Sequence, residues 1–526
     1  MKNCALPLAF GILFSLSLMA QEPVTAPRVQ IANGQLEGLE MSGVQVFRGI
    51  PFAAPPVGPF RWREPMPVAN WKGVRKATAF GPRAMQPPLF SDMVFRSNGM
   101  SEDCLYLNVW TPSVKGKAKL PVLVYFYGGG LMAGDASEPR YDGESMARKG
   151  IVTVTVNYRL GIFGFMSHPE LTRSSPHHAS GNYGLLDQVA ALQWVKKNIS
   201  AFGGDPSQVT IAGESAGSIS VSALMASPLS KNLVTRAIGE SGAVLGSLEA
   251  QPLALREQGG LALAAAVKAA SLADLRALDA DALVAAASGH EWEWFGIAVD
   301  GYFFTESPDK IYAEGRQAHI PLLAGWNSEE GGYRSLLGDA EPTLSTFRQA
   351  VEKLYGPAAP AILEVYKPVS DAEVKEAARD LAGDRFISFG TWKWLDVHAR
   401  TGGGQPVYRY YYTQPRPASR DGEMPAGTGA VHSAEIEYAL GNLGGNRVFD
   451  WTWDDHRVSS IMQDYFVNFI RSGNPNGVAL PHWPQVQANQ PAAFLQIGTP
   501  VFSQTEKYRN RYLELDRLWK ASSRRE

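Results

Sequence analysis

The sequence predicts an α/β fold, a large and mostly parallel central sheet flanked by helices, with helical segments inserted between strands. Three observations predict it. Two short runs have strand length: 120–126 (LPVLVYF) is continuously apolar and 152–158 (VTVTVNY) is rich in β-branched Val and Thr, and both read as buried strands. Runs with helical spacing lie between them. The clearest is 183–198, with Lys196 and Lys197 in its last turn, where the helix dipole favours cations. Residues 208–218 (QVTIAGESAGS) read as strand, tight turn and helix in direct succession.

Taken in order, the chain opens with Lys2, an apolar run over 5–19, and Ala20 before the polar Gln21. That pattern predicts a secretory signal cleaved after Ala20, and the run is too short to span a membrane comfortably. Residues 29–47 alternate apolar and polar around Asn33-Gly34, a hairpin signal. Residues 48–67 carry too many prolines for regular structure and read as a meandering ordered loop. Strands follow at 105–110, 120–126, 152–158, 209–212, 237–241 and 321–326. Helical patterns occupy 183–198, 218–225, 252–287, 344–398 and 458–470. With no internal repeat or low-complexity linker, 21–526 is expected to be one domain with helical insertions at about 250–290 and 340–430.

Composition narrows the chemistry. Of the 526 residues 45% are hydrophobic and 19% charged, and the net charge is −2, which gives no electrostatic case for nucleic acid or an anionic membrane surface. A small-molecule substrate is the expectation, with no stable membrane insertion and a monomer by default. The two cysteines are Cys4, inside the signal, and Cys104. The mature chain therefore cannot form an internal disulfide.

Gly213-Glu214-Ser215-Ala216-Gly217 fits G-x-S-x-G, the turn that lifts a nucleophilic serine above a sheet edge. A serine hydroxyl needs a base, and the base needs an orienting acid. On such a sheet both follow in the order acid, then histidine. His432, after the flexible loop Gly427–Val431, is the leading base, since His177 and His178 precede Ser215, His319 neighbours a buried strand, and His398 and His456 sit on helices. Glu329 and Glu330 follow strand 321–326, and spacing does not separate them as the acid. Gly128-Gly129-Gly130 after strand 120–126 offers backbone N–H groups for an oxyanion, together with the N–H of Ala216. No Lys-Ser/Thr follows, so a phosphate loop is the weaker reading. Ser241, in the elbow-like Gly239–Ala243, reads as structural, and Cys104 as a buried thiol.

Beyond these residues, FRGIPFAAPPVGPFRW, SEDCLYLNVWTP, GNYGLLDQVAALQWVKKNISAFGGDPSQVTIAGESAG and the late NPNG and HWP segments resemble the type B carboxylesterases of the α/β-hydrolase superfamily. That group includes the cholinesterases and the non-catalytic neuroligins. The resemblance covers nearly the whole mature chain. It implies a serine carboxylesterase of α/β-hydrolase fold acting on carboxylic esters without cofactor or metal. The nucleophile would be Ser215, the base His432 and the acid Glu330, with Gly129, Gly130 and Ala216 as oxyanion donors. It also implies an Arg63–Glu102 ion pair and an acyl pocket near Leu131, Trp292, Trp294 and Phe295. Ala84 stands where relatives carry the partner of Cys104, leaving the intervening loop unstapled. No tryptophan lies between Trp71 and Trp110, so the aromatic that receives choline in cholinesterases is missing. A neuroligin-like binding protein is the rival reading, and amidase or thioesterase chemistry on the same triad stays open.

Overall fold

In the computed structural model, which describes residues 1, 26–112, 118–246 and 248–522, sixteen strands and a shell of helices form the protein. The signal segment 2–20, with Cys4, lies outside the described residues. In chain order the strands begin with β1 (Arg28–Ile31), β2 (Gly34–Glu37), β3 (Leu39–Met41), β4 (Val44–Pro51) and β5 (Val74–Lys76). The middle of the chain supplies β6 (Tyr106–Thr111), β7 (Leu120–Phe126), β8 (Val152–Val156), β9 (Gly204–Glu214) and β10 (Arg236–Glu240). The last six are β11 (Gln251–Pro252), β12 (Ala298–Val299), β13 (Leu322–Asn327), β14 (Val407–Tyr412), β15 (Ala493–Ile497) and β16 (Phe502–Thr505).

The central sheet holds eleven strands in the order β16-β15-β14-β13-β10-β9-β7-β8-β6-β4-β3. From β15 to β8 every pairing is parallel, and the flanking pairs are antiparallel. This matches the expected α/β-hydrolase architecture. Parallel strands need helical crossovers on both faces, so their side chains are buried on both sides. β8 is buried at all five positions and β13 at all six. The helix Tyr183–Asn198 falls where its periodicity placed it, and helix Trp453–Ser472 contains the amphipathic run 458–470. The segments expected as helical insertions hold several separate helices, among them Leu253–Ala266 and Leu344–Tyr355, but the second, at about 340–430, also contains β14 of the central sheet and so is not wholly helical. Among the described residues no helix is long and apolar enough to cross a membrane.

Two local expectations shift. The first hairpin turns at Ala32-Asn33, one residue before the expected pair, because Ile31 already pairs with Gly34. Strands β14 to β16 escaped the sequence reading. β14 is Val-Tyr-Arg-Tyr-Tyr-Tyr, whose central Arg409 breaks any apolar run. Its charge is neutralised by Glu506, with both side chains buried.

The register aligns the carboxyl ends of the parallel strands. Gly213 pairs with Gly239 and Glu214 with Glu240, while Glu240 pairs with Gly325 on β13. The residues that follow β9, β10 and β13 therefore emerge side by side on one edge, where ligands of open α/β sheets bind.

Candidate active site

Ser215 sits between β9 and helix Ala216–Ala226 at φ 55 and ψ −121, a conformation costly for a residue with a Cβ. The turn closes because its flanking glycines carry no side chain. A Cβ on Gly213 would lie 2.6 Å from Phe126 O, and one on Gly217 would collide with the same carbonyl. The Ser215 N–H donates to Glu240 O at 2.8 Å, tying the turn to the next strand.

His432 reaches this serine from a loop 217 residues away in sequence, with Nε2 3.0 Å from Ser215 Oγ. Its Nδ1 lies 2.6 Å from Glu330 Oε2. The loop is fastened to the end of β13. Glu329 N–H donates to Ala430 O, Ala430 N–H to Ser328 Oγ, and Asn327 Nδ2 to Val431 O at 2.8 Å. Of the two glutamates that spacing left open, Glu330 faces the imidazole. Glu329 instead pairs with Arg379 at 3.0 Å and accepts from Thr428 Oγ1.

Other buried carboxyls surround this trio, and the sequence reading missed them. Glu214 Oε1 lies 3.3 Å from His432 Nε2, within ion-pair distance but outside hydrogen-bond geometry. Ser241 Oγ is 2.5 Å from Glu330 Oε1 and 3.3 Å from Glu435 Oε1, and Asn327 Nδ2 donates to Glu435 Oε2. One hydroxyl proton cannot serve both carboxylates; the shorter contact is to Glu330, and burial raises Glu435 toward the protonated form that would complete the chain. The available signal was the repeated Gly-Glu-Ser at the ends of β9 and β10.

Burial works against the imidazolium of His432, but the Glu214 and Glu330 carboxylates outweigh it and push its pKa up to about 10. Burial raises Glu214 to about 8 and Glu435 to about 7, and holds Glu240 well above the carboxylate range. A proton on Glu214 weakens the pull on His432 and returns the ring toward the neutral form a general base needs.

Opposite the histidine, Gly129 and Gly130 adopt φ 109 and 65, and a Cβ on Gly128 would lie 3.0 Å from Ser215 Cβ. The Gly129 carbonyl accepts from Met132 and Ala133, turning the loop tightly, while the N–H groups of Gly129 and Gly130 have no acceptor among the described residues. Ala216 opens its helix, so its N–H has no partner within it. Leu131 follows at φ 63, buried. Phe386, half-exposed in the π-helical turn Asp384–Ser388, sets its ring edge-on to His432 at 5.0 Å.

The expected acyl-pocket residues are less well placed. Trp294 stacks on His290 at 4.2 Å, and the buried Phe295 packs edge-on to Trp294. The Trp292 side chain lies outside the described residues. One expectation is corrected: the partner of Glu102 is Arg61, which makes two hydrogen bonds to it, while Arg63 is exposed. Arg61 also donates to Leu278 O, so it anchors the helical insertion to the Glu102 turn. Cys104 is buried, which pushes its thiol pKa up and disfavours the thiolate.

Ala84 and Cys104 line one small void, so the loop between them closes without a disulfide. Polar contacts hold it instead. Gln86 exchanges two hydrogen bonds with Gly134 at 2.9 Å, and Arg96 and Ser97 N–H both donate to Ser137 Oγ.

The carboxylesterase family model matches residues 25–515. The chain is 37% identical over 470 residues to a fumonisin B1 esterase from Sphingopyxis macrogoltabida, covering 86% of this chain and 84% of that one. It is 35% identical to a liver carboxylesterase from Sus scrofa, covering 94% and 93%. A solved structure of a PNB esterase superposes with a TM-score of 0.80 at 32% identity, covering 93% of this chain and 99% of the other.

Proposed function

The chain belongs to the carboxylesterase family and hydrolyses carboxylic esters, and from that premise we propose that it does so through a Ser215–His432–Glu330 triad facing an oxyanion hole of Gly129, Gly130 and Ala216. Ser215 Oγ attacks the ester carbonyl while His432 Nε2 takes its proton. Glu330 holds the Nδ1–H and stabilises the imidazolium. The tetrahedral oxyanion is met by the three backbone N–H groups. The C–O bond breaks, His432 gives its proton to the leaving alkoxide, and the acyl group stays on Ser215. Water attacks in turn, with His432 again the base, and the carboxylic acid departs.

The observation that carries this reading is the single imidazole set 3.0 Å from one hydroxyl and 2.6 Å from one carboxylate. Leu131, Trp292, Trp294 and Phe295 form the acyl side of the pocket in this reading. In this reading the chain is secreted or periplasmic, with residues 1–20 removed, and 21–526 acts as one domain. The test is hydrolysis of nitrophenyl esters by Glu330→Gln beside Glu329→Gln. Loss of about 10³–10⁴-fold in kcat confined to the first variant supports the assignment. Equal loss in both, or loss in Glu329→Gln alone, refutes it.

A further inference from the structure

Away from the triad, a cavity of about 260 Å³ opens between the loop after Trp62 and the first turn of helix Tyr183–Asn198. None of its lining residues belongs to the triad or the oxyanion loop. Trp62, Leu171, Tyr183 and Leu186 make apolar walls. The one polar atom of the Trp62 side chain is already satisfied, since its indole N–H donates to Ile162 O at 2.9 Å. Trp62 itself stands at φ 56, a backbone state rare for a bulky residue, so the fold holds this ring in place against local preference.

The charged groups at the rim are unevenly matched. Asp300 Oδ1 is occupied by the N–H groups of Tyr302, Phe303 and Phe304, and Glu64 faces His177 at 3.7 Å. The cations have less. Arg276 uses Nε on Arg61 O, and the Arg63 guanidinium has no hydrogen-bond or ion-pair partner among the described residues. Burial first and then the neighbouring Arg63 hold Arg276 below the usual guanidinium range, with Arg61 adding to the effect and Tyr183 and Glu170 opposing it, so the two rim cations repel.

We propose that this cavity is a second, non-catalytic site for an amphipathic carboxylate, with its apolar body against Trp62 and Leu186 and its head between Arg63 and Arg276. Two guanidinium forks flanking one carboxylate give charge-assisted, geometrically specific hydrogen bonds and relieve the like-charge pair. The volume exceeds the roughly 150 Å³ that suffices for a benzene ring, leaving space for a ring or short alkyl chain with a carboxyl group. An acid of this kind is also what ester hydrolysis releases.

The test is calorimetric titration of octanoate into protein whose Ser215 carries an organophosphate adduct, which fills the catalytic pocket. Mass spectrometry of the adduct comes first, so failure of the triad assignment is seen before any binding is read. The expected result is one saturable site, weakened at least about tenfold in Arg63→Ala, weakened less in Arg63→Lys, which keeps the charge but loses the fork, and not competed by 1-octanol. Arg63 is exposed, so its removal leaves the fold and the ester hydrolysis of unmodified enzyme unchanged. Absence of saturable binding to the blocked protein overturns the proposal, as does equal affinity in Arg63→Ala or equal competition by 1-octanol.

Discussion

Replacing Glu214 by Gln removes a charge beside His432, the proposed base, while keeping the side chain's shape. Glu214 Oε1 lies 3.3 Å from His432 Nε2. At that separation a unit charge pair is worth about 1.3 kcal/mol in water and about 5 kcal/mol at an effective dielectric of 20. These limits correspond to about 1 and 4 pKa units. The His432 side chain is 26% exposed, and burial keeps part of the Glu214 population protonated near neutrality, so the effect belongs toward the smaller limit. The acid limb of kcat/KM against pH, which reports the free enzyme, is expected to move down by about 1–2 units in Glu214→Gln. A pH-stat assay on a neutral ester avoids any titration of the chromophore. An acid limb that stays in place, or moves up, refutes the claim that Glu214 sets the basicity of His432.

Three further outcomes follow from the same geometry. Ser215→Ala is expected to lower kcat by at least about 10⁴-fold while keeping the wild-type melting temperature, read by ester hydrolysis and thermal denaturation. Glu435 holds its proton in the folded state up to about pH 7, against an ordinary 4.5, so the folded protein binds more protons than the unfolded chain across that window. Its contribution to stability is complete below 4.5 and is lost as pH rises through about 7, so Glu435→Gln should flatten the fall in melting temperature between about pH 4.5 and 7. Arg61→Ala strands Glu102 in a largely buried pair and should cost about 3–5 kcal/mol by denaturant titration, whereas Arg63→Ala should stay within about 0.5 kcal/mol.

What the sequence carried, it carried through local pattern. β7 and helix Tyr183–Asn198 were legible because one is continuously apolar and the other periodic. Ser215 was legible because its turn tolerates few residues. The failures share a cause, which is dependence on partners distant in the chain. β14 hides behind Arg409, whose charge is answered 97 residues later by Glu506. Five residues of β9 before Val209 are polar or turn-forming, and only the first, Gly204, pairs with β7, at Leu120, before the register shifts. Arg61 and Arg63 lie in a proline-rich loop with no period, so nothing local says which one turns inward. Glu330 separates from Glu329 only when Arg379 and Thr428 come within reach of the latter.

The central claim is that Ser215, activated by His432, is the nucleophile, and covalent titration tests it most directly. Protein treated with an organophosphate ester is digested and mapped by mass spectrometry while residual esterase activity is followed. The account predicts one adduct per chain on the peptide containing Ser215, with activity falling in proportion to labelling and no adduct in Ser215→Ala. Activity that survives full labelling, or an adduct on Ser241 in place of Ser215, would contradict it.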